Sequence, residues 1–200
     1  MRKAVEFDEA AKVRIKQESE REIKLRIAAY LPVITDVGGI KLRQMTLGDV
    51  VECDYAENKL IIGGLPDATD YAHFFWLLRP KGTQQNEKEY IADCRRKWKN
   101  ESVRNAVATY IENQFMDAPA GNSSSASGQI DSKLWINPML DTFASEYGWT
   151  VEHIFSQPIA RLFQLTKYIY FRRSKGKIPI TSPLTQEAKQ QELRRMQQYG

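Results

Sequence analysis

The chain has 200 residues, 42% of them hydrophobic and 27% charged, which gives enough length and apolar content to bury a core and excludes wholesale disorder. Its net charge of +4 is mildly basic, a level that favours solubility without marking a nucleic-acid binder. The longest apolar run, Tyr71 to Leu78, falls far short of the roughly 20 residues that span a bilayer. The opening stretch MRKAVEFDEAAK lacks the apolar core of a secretory signal. Cys53 and Cys94 stand alone, without Cys-x-x-Cys spacing, and are expected buried and reduced.

In chain order, Asp8 to Ala29 reads as a helix carrying both charge signs, with Glu20/Lys24 and Glu22/Arg26 at favourable i,i+4 spacing. Its first half is polar nearly all round, so packing alone does not hold it. Its second half offers Ile23, Ile27 and Tyr30 as an apolar stripe, and Pro32 ends it. Short apolar runs at Val33–Thr35 and Lys59–Ile62 are the only strand signals, enough for a small ribbon. Thr46 with Asp49 forms a capping-box pattern ahead of Leu47, Val50, Val51 and Tyr55 on one helical face. The Gly38-Gly39 and Gly63-Gly64 pairs read as turns, since neither begins a phosphate-binding pattern.

Asp67 or Thr69 caps the next helix, in which Tyr71, Phe74, Leu77 and Leu78 form a stripe that Phe75 and Trp76 widen. Helices over about Asn86–Lys99 and Ser102–Met116 follow, the latter with Val103, Ala106, Val107, Tyr110, Ile111 and Phe115 on a broad apolar face. AGNSSSASGQ, residues 120–129, is small, polar and uncharged, the composition of a flexible linker. Beyond it, Asn137-Pro138 reads as a cap and first-turn proline, and Gly148 stands where that helix stops. Thr150 caps a short helix, Pro158 opens a longer one to Ser174, and a polar helix covers Thr185–Gln198. The fold class is all-α: an irregular helical bundle with room for a minor β-ribbon. It divides into an N-terminal helical domain at 1–119, a Gly/Ser-rich linker at 120–130, and a C-terminal helical domain at 131–200.

Catalysis needs convergent groups that move protons, attack, or bind metal. His73 and His153 are the two histidines and fit no metal-binding spacing, and the carboxylates intersperse with Lys and Arg as on solvated helix faces. The expectation is no enzyme, no cofactor and no metal. Two basic stretches, CRRKWKN around Trp98 and KYIYFRRSKGK, mix cations with aromatic rings as single-strand binders do. The simpler reading is that Trp98 packs inward and that cations gather at helix C-termini, where they complement the dipole. ASEYGWTVEHI has the spacing of a helix-turn-helix, but its second helix lacks Arg and Lys, carries Glu152 and ends at Pro158. Such a helix approaches phosphate unfavourably, so the stretch reads as a corner. Nucleic-acid binding is expected to be absent or non-specific.

Three pieces of the chain together carry a resemblance. They are LRQMTLGDVV followed by DYAHFFWLLRP, YIENQFMDAP running into the small-residue linker, and LDTFASEYGWTVEHIFSQPIARLFQL with its Tyr-Gly-Trp-Thr corner. The combination resembles proteins of the tail-gene region of tailed bacteriophages, above all their tail assembly chaperones. The resemblance implies a non-enzymatic adaptor that holds the tape-measure protein while tail tube subunits assemble, working in the bacterial host's cytoplasm. Phe74, Phe75, Trp76, Tyr147, Trp149, Phe163 and Tyr170 are the candidate partner-binding residues. The same resemblance also accommodates a structural virion protein, a minor tail or head–tail component retained in the particle. A nucleic-acid-binding accessory protein using the basic stretches is a third reading.

Overall fold

The computed structural model describes residues 9–83, 85–118 and 136–175. The sequence expectations for a linker at 120–130 and a polar helix at 185–198 lie outside the described residues. Nine helices and one two-stranded ribbon make up what is described, so the protein is mostly helical with a minor β element.

Helix α1 (Glu9–Ala28) leads into the ribbon of β1 (Ile34–Val37) and β2 (Ile40–Arg43), which pair antiparallel with Val37 opposite Ile40. The two-residue connection is Gly38-Gly39, with φ of +62° and +82°. Positive φ at both central residues matches the right-handed strand twist that hairpins require, and glycine adopts it without strain. Asp36 Oδ1 accepts from the Gly39 amide at 2.7 Å and closes the turn. The expected partner of β1, Lys59–Ile62, is instead a single helical turn, α3. Asn58 accounts for the difference, because its side chain accepts from the Leu60 amide and starts a helix there.

Helix α2 (Leu47–Tyr55) begins at the Thr46/Asp49 capping box, and α4 (Ala68–Leu77) at a matching Asp67/Asp70 box. Asn86 caps α5 (Glu87–Lys97) and Asn100 caps α6 (Glu101–Phe115). Each cap satisfies backbone amides that the first turn leaves without helical partners. Along α2 the buried face is Leu47, Asp49, Val50 and Cys53, whereas Tyr55 projects into solvent. Helix α7 (Ile136–Tyr147) already contains Asn137 and Pro138, so Asn137 is not its cap. Helices α8 (Val151–Phe155) and α9 (Ile159–Arg173) complete the described chain.

One core runs through these elements. It takes Val37, Leu42, Met45, Phe74, Phe75, Val107 and Tyr110 from before the 120–130 segment and Phe143, Ile154, Ile159, Leu162 and Ile169 from after it. The packing of the described residues therefore crosses the expected domain division instead of stopping at it. Backbone hydrogen bonds reinforce the junction, from Leu47 N to Gln157 O at 3.0 Å and from Ile159 N to Met45 O at 2.9 Å. They flank an isolated antiparallel bridge between Thr46 and Pro158.

Polar contacts lock the ribbon and α1 onto this core. Arg43 holds Asp49 through paired contacts of 2.6 and 2.8 Å and donates to Leu77 O at 2.9 Å, so β2, α2 and the end of α4 share one guanidinium. Asp49 also accepts from the Thr46 amide and hydroxyl, which leaves a buried carboxylate fully hydrogen-bonded. Helix α1 docks through Arg26 to Asp117 and through Gln44 to the Ala28 carbonyl. The face that docks contains Glu22 and Ala29, both buried. Ile23, Ile27 and Tyr30, expected to pack inward, remain about half exposed. The polar contacts with Asp117 and Gln44 orient the helix, and they turn the apolar stripe outward.

Candidate partner-binding surface

The corner between α7 and α8 gathers the largest set of stacked rings. Helix α7 stops at Gly148, whose φ of +66° is the left-handed conformation of a helix C-terminus. The Gly148 amide still donates to Ala144 O at 2.9 Å. Thr150 then caps α8 by accepting from the His153 amide. These two stops leave Trp149 alone between the helices, where it folds back over the last turn of α7.

The rings of Phe143 and Trp149 lie 5.6 Å apart and 12° from parallel, and those of Tyr147 and Trp149 lie 5.2 Å apart. His153 meets the edge of Trp149 at 4.8 Å. Phe143 is fully buried, so it roots the stack in the core, while Tyr147 is 36% exposed and presents the stack to solvent. Offset aromatic pairs contribute about 1 kcal/mol each beyond their buried area, so the exposed ring is held in place before any partner arrives. Glu146 accepts from Arg172 and Arg173 of α9, which fixes the last turn of α7.

Tyr30, just beyond α1, borders this corner. Burial raises its phenol pKa above the ordinary value, Arg161 opposes that shift, and the neighbouring Tyr147 and Asp117 add to it. The Arg161 guanidinium sits 5.2 Å from the Tyr30 ring centre and donates to Gln157 Oε1. The sequence places Tyr30 in the apolar stripe of α1 and does not connect it with Arg161. The Tyr30–Arg161 contact joins segments more than a hundred residues apart, and no local periodicity encodes it.

The other candidates separate into two groups. Phe74 and Phe75 are fully buried and Phe163 is 4% exposed. Phe74 meets Tyr110 edge-on and Phe163 leans on Phe115. These three are core residues and offer no surface to a partner in this fold, a correction to their expected role. Trp76 is half-buried, with Arg79 over one face at 3.4 Å and Tyr90 against its edge. Tyr170 is exposed on α9. Tyr147, Trp149 and Tyr170 thus keep accessible surface, and the first two form one unit.

The basic stretches are committed to internal contacts in part, while Arg95, Arg96 and Lys99 are exposed. Trp98 stacks on buried Tyr71 at 5.6 Å. Lys167 pairs with Asp117 at 2.6 Å, and Arg172 and Arg173 pair with Glu146. Helix α8 has five residues, with Glu152 exposed at its start, so the ASEYGWTVEHI stretch is a tight corner between helices.

His73 Nδ1 lies 3.2 Å from Asn58 Nδ2 in a half-buried setting. Among the described residues, no three His, Cys, Asp or Glu side chains cluster as metal ligands do, and no helix is long and apolar enough to cross a membrane. The fold and this surface define a mostly helical protein whose most organised exposed feature is an aromatic corner. Comparison with protein-family models, curated proteins and solved structures finds no match to the chain.

Proposed function

We propose that this chain is a non-enzymatic helical adaptor of the tail assembly chaperone kind, holding apolar helical stretches of a tape-measure protein before tail tube subunits enclose them. The observation that carries the reading is the pre-stacked corner, where exposed Tyr147 rests on Trp149 and Trp149 on buried Phe143. The motif resemblance supplies the identity of the client.

A chaperone of this kind needs a surface that covers apolar side chains and then releases them. Aromatic rings suit that task, because they bury a large area while losing few rotatable bonds. A ring whose position is already fixed loses less freedom on binding than a mobile one. The corner has polar and charged neighbours in Glu152 and His153, the rim that keeps such a patch soluble when empty. Work of this kind takes place in the bacterial cytoplasm during assembly.

The test is co-expression with the tape-measure protein of the same genome. A soluble complex is expected, with the tape measure aggregating when this chain is omitted, and finished particles should contain essentially none of it by mass spectrometry. Stoichiometric recovery from particles would favour a retained structural component. An insoluble tape measure in both arms would end the chaperone reading.

A further inference from the structure

Trp149, His153, Gln157 and Arg161 succeed one another at four-residue steps, and side-chain contacts join them into a row. His153 meets the edge of the Trp149 ring at 4.8 Å, and its Nε2 lies 3.2 Å from the Gln157 amide nitrogen. Gln157 Oε1 in turn accepts from Arg161 Nη1 at 3.0 Å. The row thus leads from the aromatic corner along α8 to the first turn of α9, where it ends on a guanidinium. The Tyr30 ring flanks that guanidinium at 5.2 Å and is itself 49% exposed.

Among the described residues, Arg161 differs from the other half-buried arginines. Arg26 holds Glu22 and Asp117, and Arg43 holds Asp49. Arg104 donates to the carbonyls of Trp98 and Lys99, and Arg79 to that of Trp76. Arg161 reaches no described carboxylate, and its acceptor is the neutral amide oxygen of Gln157. Its Nη2 donates to no described residue, and its Nε is buried without an acceptor. Nε and Nη2 form the side edge of a guanidinium, which a carboxylate can meet with both oxygens. A buried donor without an acceptor is costly, so this edge gains from an acceptor that arrives with a ligand.

We propose that Arg161 is the ion-pair anchor of the partner-binding surface, taking one Glu or Asp side chain of a client helix whose apolar stripe covers Tyr147 and Trp149. The inference rests on the reading of the corner as a client site and adds the charge that the client carries. The surroundings select the occupant. Rings on both sides, Tyr30 and the corner, favour a carboxylate set among apolar side chains over a hydrated anion. Glu152, exposed on α8, and Glu146 at the end of α7 disfavour a chain of phosphates, which a single carboxylate avoids. A partly buried charge pair of this kind supplies specificity, because a client with a cation or an amide at that position loses the contact.

The test uses overlapping peptides that cover the tape-measure protein of the same genome, titrated into the full chain by calorimetry. Peptides that bind should carry a Glu or Asp within or beside an apolar stripe. Replacing that carboxylate by its amide in the tightest peptide should weaken binding about tenfold or more. Arg161→Gln should weaken binding of the unmodified peptide by a similar factor. Combining the two changes should cost little beyond either alone, as a direct pair requires. The peptide change leaves the protein untouched, so a folding defect in Arg161→Gln cannot imitate that result. Equal affinity for the acidic and amide peptides would mean that Arg161 is satisfied by another segment of the chain or by a second copy. That outcome overturns the proposal and leaves the role of the corner standing, as would losses that multiply on combination. Binding of no peptide at all would remove the anchor and the client reading together.

Discussion

Arg26 and Asp117 are 91 residues apart in sequence, yet face each other through two hydrogen bonds of 3.3 Å. Asp117 also accepts from Lys167 at 2.6 Å and has a side chain only 3% exposed. One carboxylate thus binds α1, the end of α6 and the middle of α9. The two cations are each about a quarter to a third exposed, so the triad is stronger than a surface pair and weaker than a fully buried one. Asp117→Asn should lower stability by about 2 kcal/mol. Chemical denaturation measures the loss, and faster amide exchange along Glu22–Ala29 should accompany it as α1 loosens.

The same carboxylate makes stability depend on pH. Burial pushes its pKa up, but hydrogen bonds and charge from Lys167 and Arg26 outweigh burial and hold it below the ordinary 3.8. Because the folded value is the lower one, the stabilisation is complete above the ordinary value. It fades as pH falls from there through the folded value. Acid titration of unfolding free energy should therefore show a steeper loss in the native chain than in Asp117→Asn. Parallel curves would mean that the triad contributes nothing to acid sensitivity.

Both glycines of the hairpin carry positive φ, but their surroundings differ. A Cβ on Gly38 would sit 3.0 Å from Val103 Cγ2, whereas one on Gly39 meets nothing within 4 Å. Gly39→Ala should cost about 1 kcal/mol from backbone strain alone. Gly38→Ala should cost about 2 kcal/mol or more, since α6 must also shift. Equal thermal midpoints for the two variants would count against the close approach of the hairpin to α6.

Burial raises the Cys53 thiol to about 12 and the Cys94 thiol to about 11. At pH 8 neither is thiolate to any useful extent, and both are covered. A thiol-reactive chromophore should label neither cysteine in the native protein within minutes, and both after denaturation. Rapid native labelling of either would place it nearer the surface than described.

The sequence was most legible where chemistry is local. Thr46, Asp67 and Thr150 cap helices as their side chains and positions imply, and Gly148 stops α7 with the expected left-handed φ. Legibility fell where tertiary contacts decide. The Lys59–Ile62 run has strand-like composition, but Asn58 and its contact with Asp70 O recruit it into a helical turn. Aromatic spacing could not separate Phe74 and Phe163, which fill the core, from Tyr147, which the core displays. The outward turn of α1 depends on Asp117 and Gln44, which lie outside its own periodicity. Trp149 was flagged from its motif, but its stacking partners required the geometry of the corner.

The central claim is that the aromatic corner grips an apolar client. Its most direct test compares the native chain with Tyr147→Ser in binding to purified tape-measure segments, measured by calorimetry. Tyr147 is partly exposed, so the variant should keep its helical spectrum, with a thermal midpoint lowered only by the loss of its stacking on Phe143 and Trp149. Truncating a central aromatic anchor typically costs about 2 kcal/mol, which corresponds to roughly thirtyfold in affinity. The account expects tight binding by the native chain and a loss of about that size in the variant. Equal affinity of the two proteins, or no binding by either, would contradict it.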